Sequence, residues 1–442
     1  MKKWTIFALT FASAGGLLFA SGSAEAKSSA QGSAAAQTSI EMWIAGNPVT
    51  KPIYVGEAEA YSKAHPGVSV SVTDLPGPAY TQKLDTALAA GQPPAIYQLF
   101  GPGPQMRTLV DGKKLADLSG MLAADPSFKE RIIPAVMQQG QLNGIQYGIP
   151  YNIFQEAVIF YNKPAFAKAG ISGVPSTWTA FMADVAKLKS AGIIPISTAG
   201  SQANNWYGWW LENYEVRLAG QGVTQSVKGG DLTAIDTQPV VQAAAAMQDL
   251  VKAGGFEPGY TTTSEANNVP YALLGTGKAA MLMYGAFVPN FIKQVTPDFI
   301  KSGDMGWFSF PSVPGGTAND VVDLSSTPML VVNANMSAGN IKAAEAFLEA
   351  FIYSPEQVKA LAQTGNVGPA AQARPVISAN APAELKSYML FQLDQALQAK
   401  ESFVHWGNLI PTSSTSKWNS LKEELFSLKI SPEQFASMAS QM

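Results

Sequence analysis

No cysteine occurs in the 442 residues, and there are only two histidines, His65 and His405. Without cysteine there is no disulfide framework, no thiolate nucleophile, no zinc–thiolate site and no lipid-bearing anchor residue. Two histidines are too few to build a metal cluster with carboxylates at ligand spacing, and both read as structural or solvated. Charge is sparse as well: 14% of residues are Asp, Glu, Lys or Arg, the net charge is −3, and there is no basic block. Nucleic acid is therefore not an expected partner. No phosphate-cradling P-loop, dinucleotide fingerprint or nucleophile elbow appears. Gly101-Pro102-Gly103-Pro104 is glycine-rich, but its prolines lack the amides a phosphate would need. No catalytic residue, metal or cofactor is expected.

Long apolar runs are also scarce. The one candidate is Trp4 to Ala20, behind the basic start Met1-Lys2-Lys3 and ahead of Ala24-Glu25-Ala26. That order reads as a secretory signal peptide over residues 1–26. Residues 27–38 are Ser, Ala, Gly and Gln, a leader that can bury nothing and is expected to be disordered. The remaining chain is expected to be exported, without insertion in the membrane, and monomeric.

Nearly half the residues are apolar, which is ample for a large core. Ile40 to Ile44, Val68 to Val72 and Ala95 to Leu99 read as strands, with helical patterns over Pro52 to Ala64 and Tyr80 to Ala90 between them. That is a β-α-β-α-β order and an α/β lobe. Gln141 to Tyr147 reads as a strand pair around Asn143-Gly144, and Gly148 and Pro150 are expected to interrupt it. Ala157 to Tyr161 is a short buried-strand pattern, Asn162 a helix cap, and Pro164 an early helix position. A second α/β lobe follows, with strands near Ile194 and Met281 and helices from Thr177 and over Val240 to Ala253. Val321 to Asn333 reads as a strand broken by Pro328, and Ile341 to Ile352 as a helix.

Tyr147-Gly148-Ile149-Pro150-Tyr151, Glu156 and Phe160-Tyr161-Asn162-Lys163 together resemble the family 1 extracellular solute-binding proteins of ABC transporters, the sugar-binding group that includes maltose-binding protein. Gly277-Lys278-Ala279-Ala280-Met281 and His65-Pro66-Gly67-Val68 extend the resemblance. Two departures are Ala95-Ile96, where the family has an aspartate, and Phe287, where it has a tryptophan. The resemblance implies a two-lobed periplasmic-binding-protein fold, type II-like, with three crossings near residues 149, 323 and 368. The first lobe would be 39–149 with 324–368, and the second 150–323 with 369–442. It further implies a periplasmic subunit of an importer that works with membrane permease subunits.

Nine tryptophans stand out. A sugar offers flat apolar faces and a rim of hydroxyls, so its site needs aromatic plates and polar side chains at the carboxyl ends of strands. The candidates are Trp43, Asn47, Phe100, Gly101, Glu156, Asn205, Trp206, Trp209, Tyr284, Phe287, Asp323 and Trp418. Trp43 also reads as core. Trp206 and Trp210 would share a face if helical, with one tryptophan of that cluster stacking on ligand. Trp406 competes with Trp418, which matches the family's stacking position. With little Lys or Arg near these loops beyond Arg107 and Arg217, a neutral mono- to trisaccharide is the expected ligand. Two rivals remain. One is a secreted glycoside hydrolase or lyase using a pair among Glu156, Glu212 and Asp323. The other is a receptor that serves a sensor or chemoreceptor.

Overall fold

The computed structural model describes residues 38–46, 50–153, 157–201, 205–265, 268–324 and 327–442. The proposed signal peptide, the proposed leader up to residue 37, and the candidates Asn47 and Glu156 lie outside the described residues, and Thr38, expected to end the leader, is instead the first residue of a strand.

The first sheet has five strands in the order β2-β1-β3-β9-β4. They are β1 Thr38–Ala45, β2 Val68–Leu75, β3 Ile96–Phe100, β4 Gly148–Pro150 and β9 Pro328–Val332. The first three are parallel, whereas β9 runs antiparallel to both β3 and β4. Alternation sends side chains to two faces. Ile40, Met42, Ile44, Ile96, Leu330 and Val332 go to one face, with Tyr54 of the helix Lys51–Ala64 and Phe347 of the helix Ala338–Phe351. Trp43, Tyr97, Leu99, Met329 and Val331 go to the other, against Tyr80, Leu84, Met106 and Leu109. Burial on both faces explains why the interior strand β9, Pro-Met-Leu-Val-Val, is a continuous apolar run, whereas the edge strand β2 alternates Val with Ser and is only half-buried.

The second sheet has four strands in the order β8-β5-β7-β6. They are β5 Val158–Asn162, β6 Ile194–Ser197, β7 Ala279–Tyr284 and β8 Met305–Ser309. Helix caps expected from sequence are present beside it. Asn162 Oδ1 accepts from Ala165 N at 2.9 Å, and Thr177 Oγ1 accepts from Ala180 N at 3.2 Å.

The chain leaves the first sheet at Pro150 and enters the second at Val158. It returns between Ser309 and Pro328. On that return Val322–Asp323 pairs in parallel with Ser402–Phe403, so the C-terminal segment is laced to the crossing. A third strand of chain passes by at Val367, whose carbonyl accepts from Ile153 N at 2.9 Å.

Two expectations are corrected. Gly148 and Pro150 do not interrupt a strand; they form one, β4, at the edge of the first sheet. Glycine is required there because a Cβ on Gly148 would lie 2.5 Å from Met329 Sδ. Pro328 does not break a strand but begins β9, a place where its missing N–H costs no ladder bond.

Candidate functional site

The helix Gly208–Ala219 begins just after a loop that follows β6. Residues 209, 212, 213, 216 and 217 recur at three- and four-residue spacing, so they share a face. That face meets the strand pair 322–323/402–403 and carries Trp209, Glu212, Asn213 and Arg217. Trp210, Leu211 and Tyr214 turn instead into the second lobe's core, where Trp210 lies 5.2 Å from Phe181 and 6.3 Å from Trp178.

Four rings stack in sequence. Trp206 lies 3.5 Å from Tyr284 between ring centroids, Tyr284 lies 4.9 Å from Trp209, and Trp209 lies 4.7 Å from His405. Interplanar angles of 22°, 28° and 16° make each contact a stack. Phe287 meets Tyr284 edge-on at 4.9 Å. Trp206 therefore lies before the helix, in this stack, and Trp210 inside a different core. The expectation that these two share a helical face is corrected, because the helix starts at Gly208.

Below the stack lies a buried ionic network. His405 Nδ1 is 2.9 Å from Glu212 Oε2, and His405 Nε2 is 2.8 Å from Asp323 Oδ2. Asn213 Nδ2 donates to the same Asp323 oxygen at 3.1 Å. Glu212 Oε2 also accepts from Trp406 N at 2.8 Å. Arg217 Nη1 donates to Asn213 Oδ1 at 2.8 Å, and Arg217 Nη2 to the Val321 carbonyl at 3.3 Å. All these side chains are buried. Burial alone would lower the His405 pKa, but the carboxylates of Asp323 and Glu212 push it up to about 10. The imidazole is thus held between Glu212, hydrogen-bonded at Nδ1, and Asp323, ion-paired at Nε2, which fixes its ring plane beside Trp209.

Both carboxylates are consumed in holding that ring. A glycosidase pair needs one acid and one base or nucleophile facing substrate and water. Glu212 and Asp323 are buried and ion-paired, so they are poorly suited to that work.

The loop after β3 brings the first lobe up against the second at Asn408. Phe100 is 47% exposed, the largest value among the exposed large apolar side chains. Gly101 has φ of 59° and donates its N–H to the Thr327 carbonyl at 3.3 Å. Gly103 lies hard against the second lobe: a Cβ there would sit 2.7 Å from the Asn408 carbonyl oxygen. Asn205 Oδ1, Trp206 Nε1 and Thr327 Oγ1 are among the buried polar atoms here without a hydrogen-bond partner, as are Glu212 Oε1 and Arg217 Nε of the network. An unmet buried polar group costs about 1–3 kcal/mol, which a ligand hydroxyl would offset.

Trp209, Tyr284, Phe287, Asn205, Trp206 and Asp323 are thus brought together, while Phe100 and Gly101 lie on the first lobe at the end of β3. Trp43 is elsewhere: it packs with Tyr80 and Tyr97, donates to Glu41, and carries Lys83 Nζ 4.0 Å above its ring. Trp418 is fully buried 6.0 Å from Trp406 and 5.6 Å from Phe435, with no open face. Trp406 is buried too. Sequence reasoning set aside His405, the residue at the centre of the network. The usable signal was the buried run Glu212-Asn213-Tyr214-Glu215-Val216-Arg217, polar on every turn of a helix with apolar flanks. His65 is exposed and stacks on Tyr61. Among the described residues no group of three or more His, Cys, Asp or Glu could hold a metal ion, and no helix is long and apolar enough to cross a membrane.

Two α/β sheets joined by repeated crossings, with strand-end loops facing one another, define the architecture of two-lobed solute-binding proteins. Solved structures share it. One described as a chitin oligosaccharide binding protein aligns at TM-score 0.72, with 22% identity, over 91% of this chain and 97% of that one. The GacH receptor of Streptomyces glaucescens, solved unliganded and with acarbose, aligns at 0.67 with 20% identity, over 91% and 96%. At these identities the likeness is one of fold. The model of the bacterial extracellular solute-binding proteins matches residues 47–359, and the chain belongs to that family. A binding protein of Brucella abortus (strain 2308) is 27% identical over 278 residues, 60% of this chain and 61% of that protein. The sn-glycerol-3-phosphate-binding periplasmic protein UgpB of Rhizobium meliloti (strain 1021) is 28% identical over 215 residues, 46% and 47% of the two chains. The chain therefore spans less than two thirds of the length of these relatives.

Proposed function

We propose that this protein is the substrate-binding component of an ABC importer, acting in the periplasm and holding a carbohydrate between its two lobes. The observation that carries this reading is the aromatic stack with unpaired polar atoms around it: Asn205 Oδ1 and Trp206 Nε1 on one side, Thr327 Oγ1 and the exposed Phe100 ring on the other. Aromatic surface suits a pyranose face, and unmet polar atoms suit its hydroxyls. The contact set would be Phe100, Gly101, Asn205, Trp206, Trp209, Tyr284 and Phe287, with Asp323 acting through His405. The lobes would be 39–149 with 324–368 and 150–323 with 369–442, closing about the three crossings. The closed state would dock on permease subunits. Ligand selects that state only by binding it better, and full switching needs roughly 5.5 kcal/mol of difference.

A thermal-shift screen of residues 27–442 against mono- and oligosaccharides, polyols and sugar phosphates tests this. A ligand specific to the folded state adds about 2.7 kcal/mol of apparent stability at a hundredfold excess over its Kd. A large shift with one sugar class supports the reading. No shift with any sugar, or turnover of a labelled oligosaccharide, overturns it.

A further inference from the structure

Arg107 and Arg217 are the cations nearest the binding loops, and the structure separates their roles. Arg217 is held through both terminal nitrogens by Asn213 and the Val321 carbonyl and lies over the Phe310 ring, whose centroid is 4.8 Å away, although its Nε is unpartnered. Arg107 is not held in this way. It sits on the helix Pro104–Asp111, one turn beyond Gly103, and its guanidinium reaches across to the second lobe. There Nη1 lies 3.3 Å from where a Cβ on Gly230 would be. Gly230 ends the helix Gly222–Gly229, and Lys228, half-buried, is on its last turn. One turn earlier on that helix Thr224 Oγ1 accepts from Trp406 Nε1 at 3.0 Å. Arg107 is thus about one helical turn, roughly 5 Å along the axis, from the place where Gly103 meets Asn408, and Lys228 is one turn from Thr224 on its own helix.

Among the described residues no carboxylate pairs with either cation, and Arg107 Nη2 is buried without a hydrogen-bond partner. Two positive charges from opposite lobes oppose closure unless something negative lies between them. Burial, and then the charge of Arg107, hold the Lys228 ammonium below its usual pKa, as expected of cations crowded without a counter-charge. A bland alternative exists, since a cation at a helix C-terminus is favourable in itself. It accounts for Lys228 on the last turn and for the place of Arg107, but not for the unpartnered, buried Arg107 Nη2.

We propose that Arg107 and Lys228 form an interlobe anion site, so that the preferred ligand is a carbohydrate bearing an anionic group, a uronate carboxylate or a phosphate. This rests on the carbohydrate reading above and departs from the neutral sugar expected from sequence. The anion bridges the two lobes and completes closure, making the pair a selector among sugars.

Isothermal titration of the purified protein and of the variants Arg107→Gln and Lys228→Gln tests it. The probes are neutral di- and trisaccharides, the same sugars carrying a uronic acid, hexose phosphates, glycerol phosphate and inorganic phosphate. The expected result is an anionic sugar bound about tenfold or more tightly than its neutral counterpart, the equivalent of one charge-assisted hydrogen bond. Both variants should erase that preference, and neutral-sugar affinity should hold or rise, because removing one cation relieves the repulsion that opposes closure. The uronate and phosphate arms identify which anion is selected. Equal binding of neutral and anionic sugars overturns the anion site and leaves the carbohydrate reading standing. An equal loss for both classes in the variants also overturns it, reducing Arg107 to a closing contact. Binding of glycerol phosphate or inorganic phosphate alone, lost in both variants, keeps the anion site and removes the carbohydrate. No binding by any probe removes both.

Discussion

Buried polar groups are handled differently in the two lobes. In the first, Gln98 at the centre of β3 is the main case, and its partners are near at hand. Its backbone N–H donates to Tyr80 Oη at 2.8 Å, its side-chain oxygen accepts from Ala45 N at 3.0 Å, and Tyr151 donates to the same oxygen. Among the described residues no charged side chain is buried there. In the second lobe, Glu212, Glu215, Arg217, Asp323, His405 and Lys422 are all buried, and they come from three separate segments of chain. A neutral network costs little to assemble and anchors a strand. An ionic one is costly to desolvate and punishing to break, so it is weak evidence for stability but strong evidence that geometry matters there. The second lobe holds its aromatic stack rigidly, and the first offers an exposed ring on a loop. Substitutions should therefore cost stability on one side and affinity alone on the other.

The largest effect is expected from Asp323→Ala. It leaves the His405 imidazolium and the Asn213–Arg217 chain facing an empty buried position. Loss of one partner of a buried pair costs about 3–5 kcal/mol. Urea unfolding followed by fluorescence should show the midpoint falling accordingly. A midpoint unchanged from the parent would mean that the network contributes nothing, and the contrast between lobes would collapse. Next in size is Trp209→Ala. It removes the ring stacked between Tyr284 and His405, each contact contributing ~0.5–1.5 kcal/mol beyond area burial. A loss of about 2–3 kcal/mol is expected, together with loss of ligand binding in the same titration. Retained binding would move the ligand away from the stack.

Titration sharpens the contrast further. Burial, then the charge of Glu212, raises Glu215 to about 8 from an ordinary 4.5. His405 stands at about 10 against an ordinary 6.5. A raised folded pKa gives stability that is complete below the unfolded value and lost as pH climbs through the folded one. For Glu215 that window is 4.5 to 8, and for His405 it is 6.5 to 10. Lys422, lowered to about 8 by burial although Glu212 resists, acts in the opposite sense above pH 8. Stability should therefore fall between pH 5 and 8. Glu215→Gln keeps the shape without the proton, so its unfolding free energy should be flatter over that range and exceed the parent's at pH 8. An identical slope in both proteins would show that Glu215 is ionised in the fold.

Much of this architecture was legible in the chain. Apolar runs bounded by glycine and proline located the strands, and Asn162 and Thr177 announced their helices by capping chemistry. What was not legible depends on contacts far apart in sequence. His405 pairs with Glu212 across 193 positions, and no local pattern marks that distance. Gly148 and Pro150 carry turn chemistry, yet pairing with Val331 and Met329 makes them a strand, because tertiary pairing outweighs local preference. Trp418 shows the limit of analogy: a tryptophan may match a family position and still be enclosed by Trp406 and Phe435, and only packing decides.

The smallest effect on stability is expected on the first lobe. Phe100 projects into solvent at the end of β3, so removing its ring exposes no core and leaves no cavity. Surface changes of this kind stay within about 0.5 kcal/mol. If the ring covers a bound sugar, Phe100→Ala should leave the urea midpoint in place while weakening sugar affinity by roughly tenfold, the equivalent of ~1.4 kcal/mol. The two measurements pull apart only when the residue acts on ligand and not on fold. Trp209→Ala, by contrast, should move both together, since its ring is part of the packed stack. A Phe100 variant that loses stability along with affinity would place that ring in the core, and one that loses neither would leave ligand recognition to the second lobe alone.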